Sequence, residues 1–225
     1  MKVTTDGCLF GAWIAIQAGS KKHAINTVLD IGTGTALLSL MYAQKNPDVI
    51  IDAVEMDEAA AEQARENVEA FPIKNHVQVY CADARNFGFP RKYDLIISNP
   101  PFYEKNLVSP ISRKNIAHHY EGLLVSELIT VIKHNLNPGG IFCLLMPFQR
   151  NEEIKDLFAG NDLSILQMVF VQQSTQHGYF RIMVKGTLGA EKPVEASFDE
   201  ISVWDEKQQY TPEFINFLKD YYLYL

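Results

Sequence analysis

The residues of this 225-residue chain best suited to chemistry follow short apolar runs. The run Tyr93-Asp94-Leu95-Ile96-Ile97-Ser98 leads straight into Asn99-Pro100-Pro101-Phe102. Two consecutive prolines exclude a helix and remove two backbone donors. The carbonyls of Asn99 and Pro100 are then free to face a ligand from a stiff loop, with the Asn99 carboxamide beside them and the Phe102 ring close behind. An amine whose lone pair is delocalised into a ring or carbonyl is a poor nucleophile. Two acceptors set on its hydrogens favour the geometry in which that lone pair points at an electrophile. The loop is thus fitted to an sp² amino group, and the plainer alternative is a proline-stiffened surface loop.

A second cluster is Val28-Leu29-Asp30-Ile31-Gly32-Thr33-Gly34-Thr35-Ala36-Leu37, a buried run, a glycine turn and a helix start in succession. Glycines at such a turn let a ligand approach the backbone, and in an open α/β sheet the ligand crevice lies outside the carboxyl ends of the strands. A dinucleotide fits poorly. Leu37 occupies the third position of the Gly-x-Gly-x-x-Gly pattern, and Asp30 would meet a pyrophosphate with the wrong sign. S-adenosylmethionine fits: it has no phosphate and carries a sulfonium and an α-amino group. Glu55, 21 residues after Gly34, closes the next apolar run, where a carboxylate can accept both ribose hydroxyl protons, with Asp57 as its nearest rival. Asp83, in Cys81-Ala82-Asp83-Ala84, is placed to accept from the adenine amine. Taken singly, Glu55 or Asp83 can also be read as a helix cap.

The elements that position these residues are an alternation of β-rich runs with amphipathic stretches. Strands are expected at Thr27–Ile31, Val49–Val54, Val77–Cys81, Leu95–Ile97, Ile141–Met146, Ile165–Val171 and Phe180–Val184. Helices are expected at Thr35–Gln44, Glu58–Ala70 and Leu123–Leu136, the last stopped by Asn137-Pro138-Gly139-Gly140. This alternation predicts an α/β fold, a doubly wound and mostly parallel sheet of seven strands with an antiparallel last strand. Its last two strands form a hairpin at the sheet edge, since Gln172 to Tyr179 is too short for a crossover. Gly7–Ala18 reads as a helix capped by Asp6, Gly186–Asp205 as polar and irregular, and Pro212–Tyr222 as a terminal helix. The expected organisation is one domain over residues 1–225: a helix over the cofactor site in 1–24, a core in 25–185 and an extension in 186–225.

Composition narrows the function classes. No apolar run is long enough to span a membrane, the first residues lack the layout of a signal peptide, and the widely spaced Cys8, Cys81 and Cys143 suggest neither a disulfide framework nor a zinc site. A cytoplasmic protein is expected, without membrane or metal. The net charge of −7 argues against bulk coating of nucleic acid. Its distribution is uneven: residues 100–185 carry 8 basic and 7 acidic side chains, against 3 and 8 in residues 186–225. A nucleic acid should therefore meet the middle segment, where Arg113, Lys114 and His118 form the best basic cluster.

Asp30-Ile31-Gly32-Thr33-Gly34 followed by Asn99-Pro100-Pro101-Phe102 resembles the amino-directed branch of the class I S-adenosylmethionine-dependent methyltransferases. Three further stretches resemble the bacterial tRNA adenine-N6-methyltransferase family that modifies adenine-37 of a valine tRNA. They are the opening segment through Leu9-Phe10-Gly11-Ala12-Trp13, Arg113-Lys114-Asn115-Ile116-Ala117-His118, and the ending Tyr221-Tyr222-Leu223-Tyr224-Leu225. The resemblance spans nearly the whole chain and implies a Rossmann-like fold, S-adenosyl-L-methionine as cofactor and the anticodon loop of a tRNA as substrate. It further implies Thr5 and Asp6 over the cofactor, with Asp30, Gly32, Gly34, Glu55, Asp83 and Asn99 around it. Asn99, Pro100 and Phe102 fall in the reactive loop, and Phe102, Arg113, Lys114 and His118 against RNA. Two departures stand out: Phe102 replaces the tyrosine commoner among adenine-N6 enzymes, and the family carries a further segment upstream of Met1. The first keeps guanine-N2 methylation of ribosomal RNA open, glutamine methylation of a protein shares the same loop chemistry, and a non-enzymatic RNA-binding scaffold is the alternative outside enzymes.

Glu55→Ala is expected to weaken S-adenosylmethionine binding by about 1–3 kcal/mol, the cost of a charge-assisted hydrogen bond. NAD should not compete in calorimetry, and NAD binding of equal strength would contradict this reading of the turn.

Overall fold

The computed structural model describes residues 3–17, 24–72, 76–100, 123–189 and 195–225, and its centre is one eight-stranded sheet. The strands are β1 (Thr27–Ile31), β2 (Ile50–Glu55), β3 (Val77–Cys81), β4 (Tyr93–Ser98), β5 (Leu136–Pro147), β6 (Leu163–Ser174), β7 (Tyr179–Leu188) and β8 (Ser197–Trp204). They lie in the order β3-β2-β1-β4-β5-β7-β6-β8. The first five pair in parallel, and the order reverses between β1 and β4, so the carboxyl ends of these two strands flank the crevice where an open α/β sheet binds ligands.

Side chains along each strand alternate between two apolar layers, as the pleat requires. Val28, Ile97 and Leu145 face α1 (Thr5–Gln17) and α2 (Leu37–Lys45), while their neighbours Leu29, Ile96 and Leu144 face α4 (Val125–Asn135) and α5 (Asn151–Ala159). α3 (Glu58–Ala70) packs Ala61 and Ala64 on Ala53 and Val79, where small side chains bring helix and sheet close. α6 (Pro212–Leu218) buries Phe214 and Leu218 in the α1 layer. α1 is buried along Gly7–Ala15, which explains why its sequence shows no polar face. Among the described residues no helix is long and apolar enough to cross a membrane.

Three features differ from the sequence expectation. The sheet has eight strands, not seven: β8 lies in the stretch expected to be irregular, paired in parallel with β6 at the edge. Its first four residues, Ser-Phe-Asp-Glu, are exposed, so only Ile201 and Val203 carry the alternating signal of a buried strand. The β6–β7 hairpin is antiparallel as expected, but β7 inserts between β5 and β6 instead of ending the sheet. Finally, α1 starts at Thr5, and its Gly7 N–H donates to Thr4 Oγ1 at 3.3 Å, which moves the cap from Asp6 to Thr4.

β7 fits beside β5 through a glycine. Gly186 lies opposite Phe142, whose ring meets Phe158 edge-on at 5.3 Å. A Cβ at Gly186 would fall 2.2 Å from Phe142 Cζ and 2.8 Å from the Ser164 carbonyl oxygen. Gly186→Ala should therefore lower the free energy of unfolding by about 1–3 kcal/mol through overpacking, read as a lower urea midpoint. An unchanged midpoint would contradict this packing.

Candidate active site

The turn after β1 has an unusual backbone. Gly32, Gly34 and Ala36 adopt positive φ of 69°, 59° and 65°. This is the left-handed region that glycine enters without penalty and alanine does not. The turn's amides are directed inward to protein acceptors. Gly32 N–H and Thr33 N–H donate to the Val54 carbonyl at 2.9 and 3.1 Å, and Gly34 N–H donates to Glu55 Oε2 at 2.8 Å. In phosphate-binding turns such amides are held open for the anion. Here all three are occupied, in agreement with the reading against a dinucleotide.

Glu55 ties two turns together. Its other oxygen, Oε1, accepts from Met56 N–H at 2.9 Å and Asp57 N–H at 3.0 Å. The cap of α3 is Asp57, which accepts from Ala60 N–H at 2.8 Å, so Glu55 is not engaged as a helix cap. Asp83 is not a helix cap among the described residues either. Its carboxylate receives Arg85 Nε and a terminal guanidinium nitrogen at 2.7–2.9 Å, and Arg85 holds its pKa below the usual carboxylate range. Arg85 reaches on to Glu127 in the first turn of α4.

Asp30 is wholly buried on β1. Its Oδ2 accepts from Thr33 Oγ1 at 2.6 Å and Ser39 Oγ at 2.7 Å, while Oδ1 has no hydrogen-bond partner among the described residues. Burial pushes the carboxyl up to about 6, opposed by the Thr33 and Ser39 hydrogen bonds and helped by the nearby Glu55 charge. An orphaned buried acceptor beside a carboxylate suits a cation. The space above the turn suits a bulky neighbour, since a Cβ built at Gly32 would meet nothing within 4 Å.

Asn99 follows β4 half-buried, and Pro100 is buried. A Cβ on Gly7 would lie 3.7 Å from Asn99 Nδ2 and 3.7 Å from Leu37 Cδ2, so the first turn of α1 abuts both the proline motif and the start of α2. Thr5 and Asp6 belong to that turn. Thr5 lies near Tyr222, and Asp6 Oδ2 accepts from Arg181 Nε at 2.8 Å. Phe102, Arg113, Lys114 and His118 lie outside the described residues. The sequence reading missed Arg181 and Arg85, and the first meets α1 across 175 residues, a separation with no local signal. Among the described residues no group of three or more His, Cys, Asp and Glu could hold a metal ion. An open cavity of about 560 Å³ bordered by Ile50, Asp52, His76, Tyr80 and Arg91 lies by the amino ends of β2 and β3, away from this cluster.

The strand order and the acidic glycine turn define a Rossmann-like class I methyltransferase, whose methyl donor is S-adenosylmethionine. A family described as "Methyltransferase small domain" matches residues 18–158. The tRNA1(Val) (adenine(37)-N6)-methyltransferase of Dyadobacter fermentans is 40% identical over 187 residues, 82% of this chain and 75% of that protein. The protein of the same name from Pectobacterium carotovorum subsp. carotovorum is 34% identical over 100% of this chain and 88% of its own length. A solved structure described as a predicted O-methyltransferase from Agrobacterium tumefaciens shares the fold, with a TM-score of 0.72 at 16% identity over 94% of this chain and 95% of that one. The chain belongs to the tRNA1(Val) (adenine(37)-N6)-methyltransferase family.

The Asp30 carboxyl sets a pH dependence. Its pKa in the folded protein is raised from 3.8 to about 6, so the folded state binds more protons than the unfolded state between those values. Its contribution is most favourable below about pH 4 and is lost as pH rises through about 6, a difference of up to about 3 kcal/mol. Asp30→Asn lacks this penalty. Its stability relative to the parent protein should improve between pH 4 and pH 7.5 in denaturant titrations, and a pH-independent difference would contradict the assignment.

Proposed function

We propose that this methyltransferase transfers the methyl group of S-adenosylmethionine to N6 of adenine-37 in the anticodon loop of a valine tRNA, in the cytoplasm. The observation that carries the reading is the Asn99-Pro100 pair at the carboxyl end of β4, beside the acidic glycine turn, in a chain whose relatives are named for this reaction.

The cofactor supplies an electrophilic methyl on a sulfonium. Glu55 holds the ribose hydroxyls, Asp83 takes the adenine amine while keeping its Arg85 partner, and Asp30 with Gly32 and Gly34 forms the floor at the methionine end. Thr5 and Asp6 close the site from α1. Asn99 and the Pro100 carbonyl accept the two N–H bonds of the target amine and fix its lone pair toward the methyl group. No side chain acts as an obligatory base, because the amine nitrogen becomes acidic only as the new bond forms and its proton can leave afterwards to water.

The target base lies in an unpaired loop, so turning it into the site costs less than extracting it from a duplex. Stacking on Phe102, at about 1–3 kcal/mol for an aromatic platform, offsets much of the remainder. With a net charge of −7, the protein relies on a few local cations, and Arg113, Lys114 and His118 fill that role. Affinity for tRNA should fall steeply with added salt.

Purified protein, labelled S-adenosylmethionine and unmodified tRNA or ribosomal RNA are incubated, and the nucleosides are identified by mass spectrometry. N6-methyladenosine in tRNA is expected. N2-methylguanosine, or label only in protein, would overturn the substrate assignment. Asn99→Ala should lower kcat on the true substrate by about 10²-fold or more while cofactor affinity changes little, in the manner of a lost oxyanion-hole donor.

A further inference from the structure

We propose that Arg181 is a positioning residue for Asn99, acting through the first turn of α1. The inference rests on the methyltransferase reading of the site and adds to it a residue on a strand remote from the cofactor turn. Arg181 sits on β7 directly opposite Pro147, the last residue of β5, and so at the same end of the sheet as Asn99. Its guanidinium is fixed by three contacts. Nε donates to Asp6 Oδ2 at 2.8 Å, Nη1 donates to the Phe180 carbonyl at 3.2 Å, and the group lies 5.6 Å from the Phe180 ring centroid.

Charge balance does not demand this pair. Asp6 lies in the first turn of α1, where the helix dipole already favours a carboxylate, and a pair whose arginine is 35% exposed adds little to stability. What the pair does fix is where the turn sits. A Cβ on Gly7, the next residue, would stand 3.7 Å from Asn99 Nδ2, an ordinary contact distance, so this turn passes beside the Asn99 carboxamide. The turn borders the space beside the Asn99 carboxamide, and its displacement would change the room Asn99 has to turn. Tyr222, from the segment after α6, packs against the same layer beside Thr5 and Cys8. The rest of α1 is anchored by buried apolar side chains from Leu9 to Ile14 and does not need Arg181 to fold.

The test is a double-mutant cycle on the full chain with Asp6→Asn, Arg181→Met and both together, plus Arg181→Lys as the conservative variant. Each single change should lower kcat about tenfold, short of the roughly hundredfold that a 1 Å misplacement can cause, with the KM for tRNA held within about twofold. The double variant should lose no more than either single one, the signature of coupled residues. Arg181→Lys should keep at least about half of the parent turnover, because charge and reach are retained. Hydrogen exchange supplies a readout independent of substrate: amides of Gly7 and Cys8 should exchange faster in Arg181→Met, while those of Trp13 and Ile14 stay unchanged. Normal kcat, losses that multiply, a rise in tRNA KM alone, or unchanged exchange in the first turn would each overturn the inference. Absence of any tRNA methylation by the parent protein would instead sink the substrate assignment, and the exchange data would still decide the role of Arg181.

Discussion

The carboxylate of Glu55 is the interaction on which the site is built. By accepting from Gly34 on one side and from Met56 and Asp57 on the other, it couples the turn after β1 to the turn after β2. Val54 completes the join by accepting from Gly32 and Thr33. The turn amides of Gly32, Thr33 and Gly34, of the kind a phosphate would require, are thereby engaged. This choice of hydrogen-bond partners accords with the proposed cofactor, which carries a sulfonium and no phosphate. Asp30 extends the logic beneath the turn, where a buried carboxyl, one oxygen of which has no partner among the described residues, is maintained at a cost to the folded protein.

The rest of the fold serves to bring other groups to this crevice. The reversal of strand order between β1 and β4 sets Asn99 next to the glycine turn. Asp94 keeps β4 in register from the far end: its side chain accepts from Asn26 N–H, from the N–H and hydroxyl of Thr27, and from Asn137 Nδ2, at 2.7–3.1 Å. α1 packs on the sheet with its first turn beside Asn99, tethered by Arg181 and flanked by Tyr222. Both residues come from the last third of the chain, far in sequence from the glycine turn and the proline motif.

What could be read from the sequence divides along the same line. The cofactor turn and the proline motif were legible because their requirements are local: positive φ needs glycine, consecutive prolines set the loop, and buried parallel strands show as short β-branched runs. β8 was illegible because its first half is exposed and includes Asp199 and Glu200, and only Ile201 and Val203 mark its buried face. Asp6 was read as a cap from its position before an apolar run, whereas Thr4 caps the helix and Asp6 turns toward Arg181. An ion pair spanning 175 residues leaves no trace in local periodicity. The same holds for Arg85, whose grip on Asp83 follows from the shape of the turn after β3.

A crystal structure with S-adenosylhomocysteine, the demethylated product, tests the central claim most directly, since it shows which groups meet the cofactor. The account predicts the ribose hydroxyls on Glu55, the amino acid end over Gly32 and Asp30, and the sulfur facing Asn99. Product bound instead in the cavity beside Asp52 and Arg91, or with Glu55 still turned wholly onto its backbone amides and no ribose contact, would contradict it.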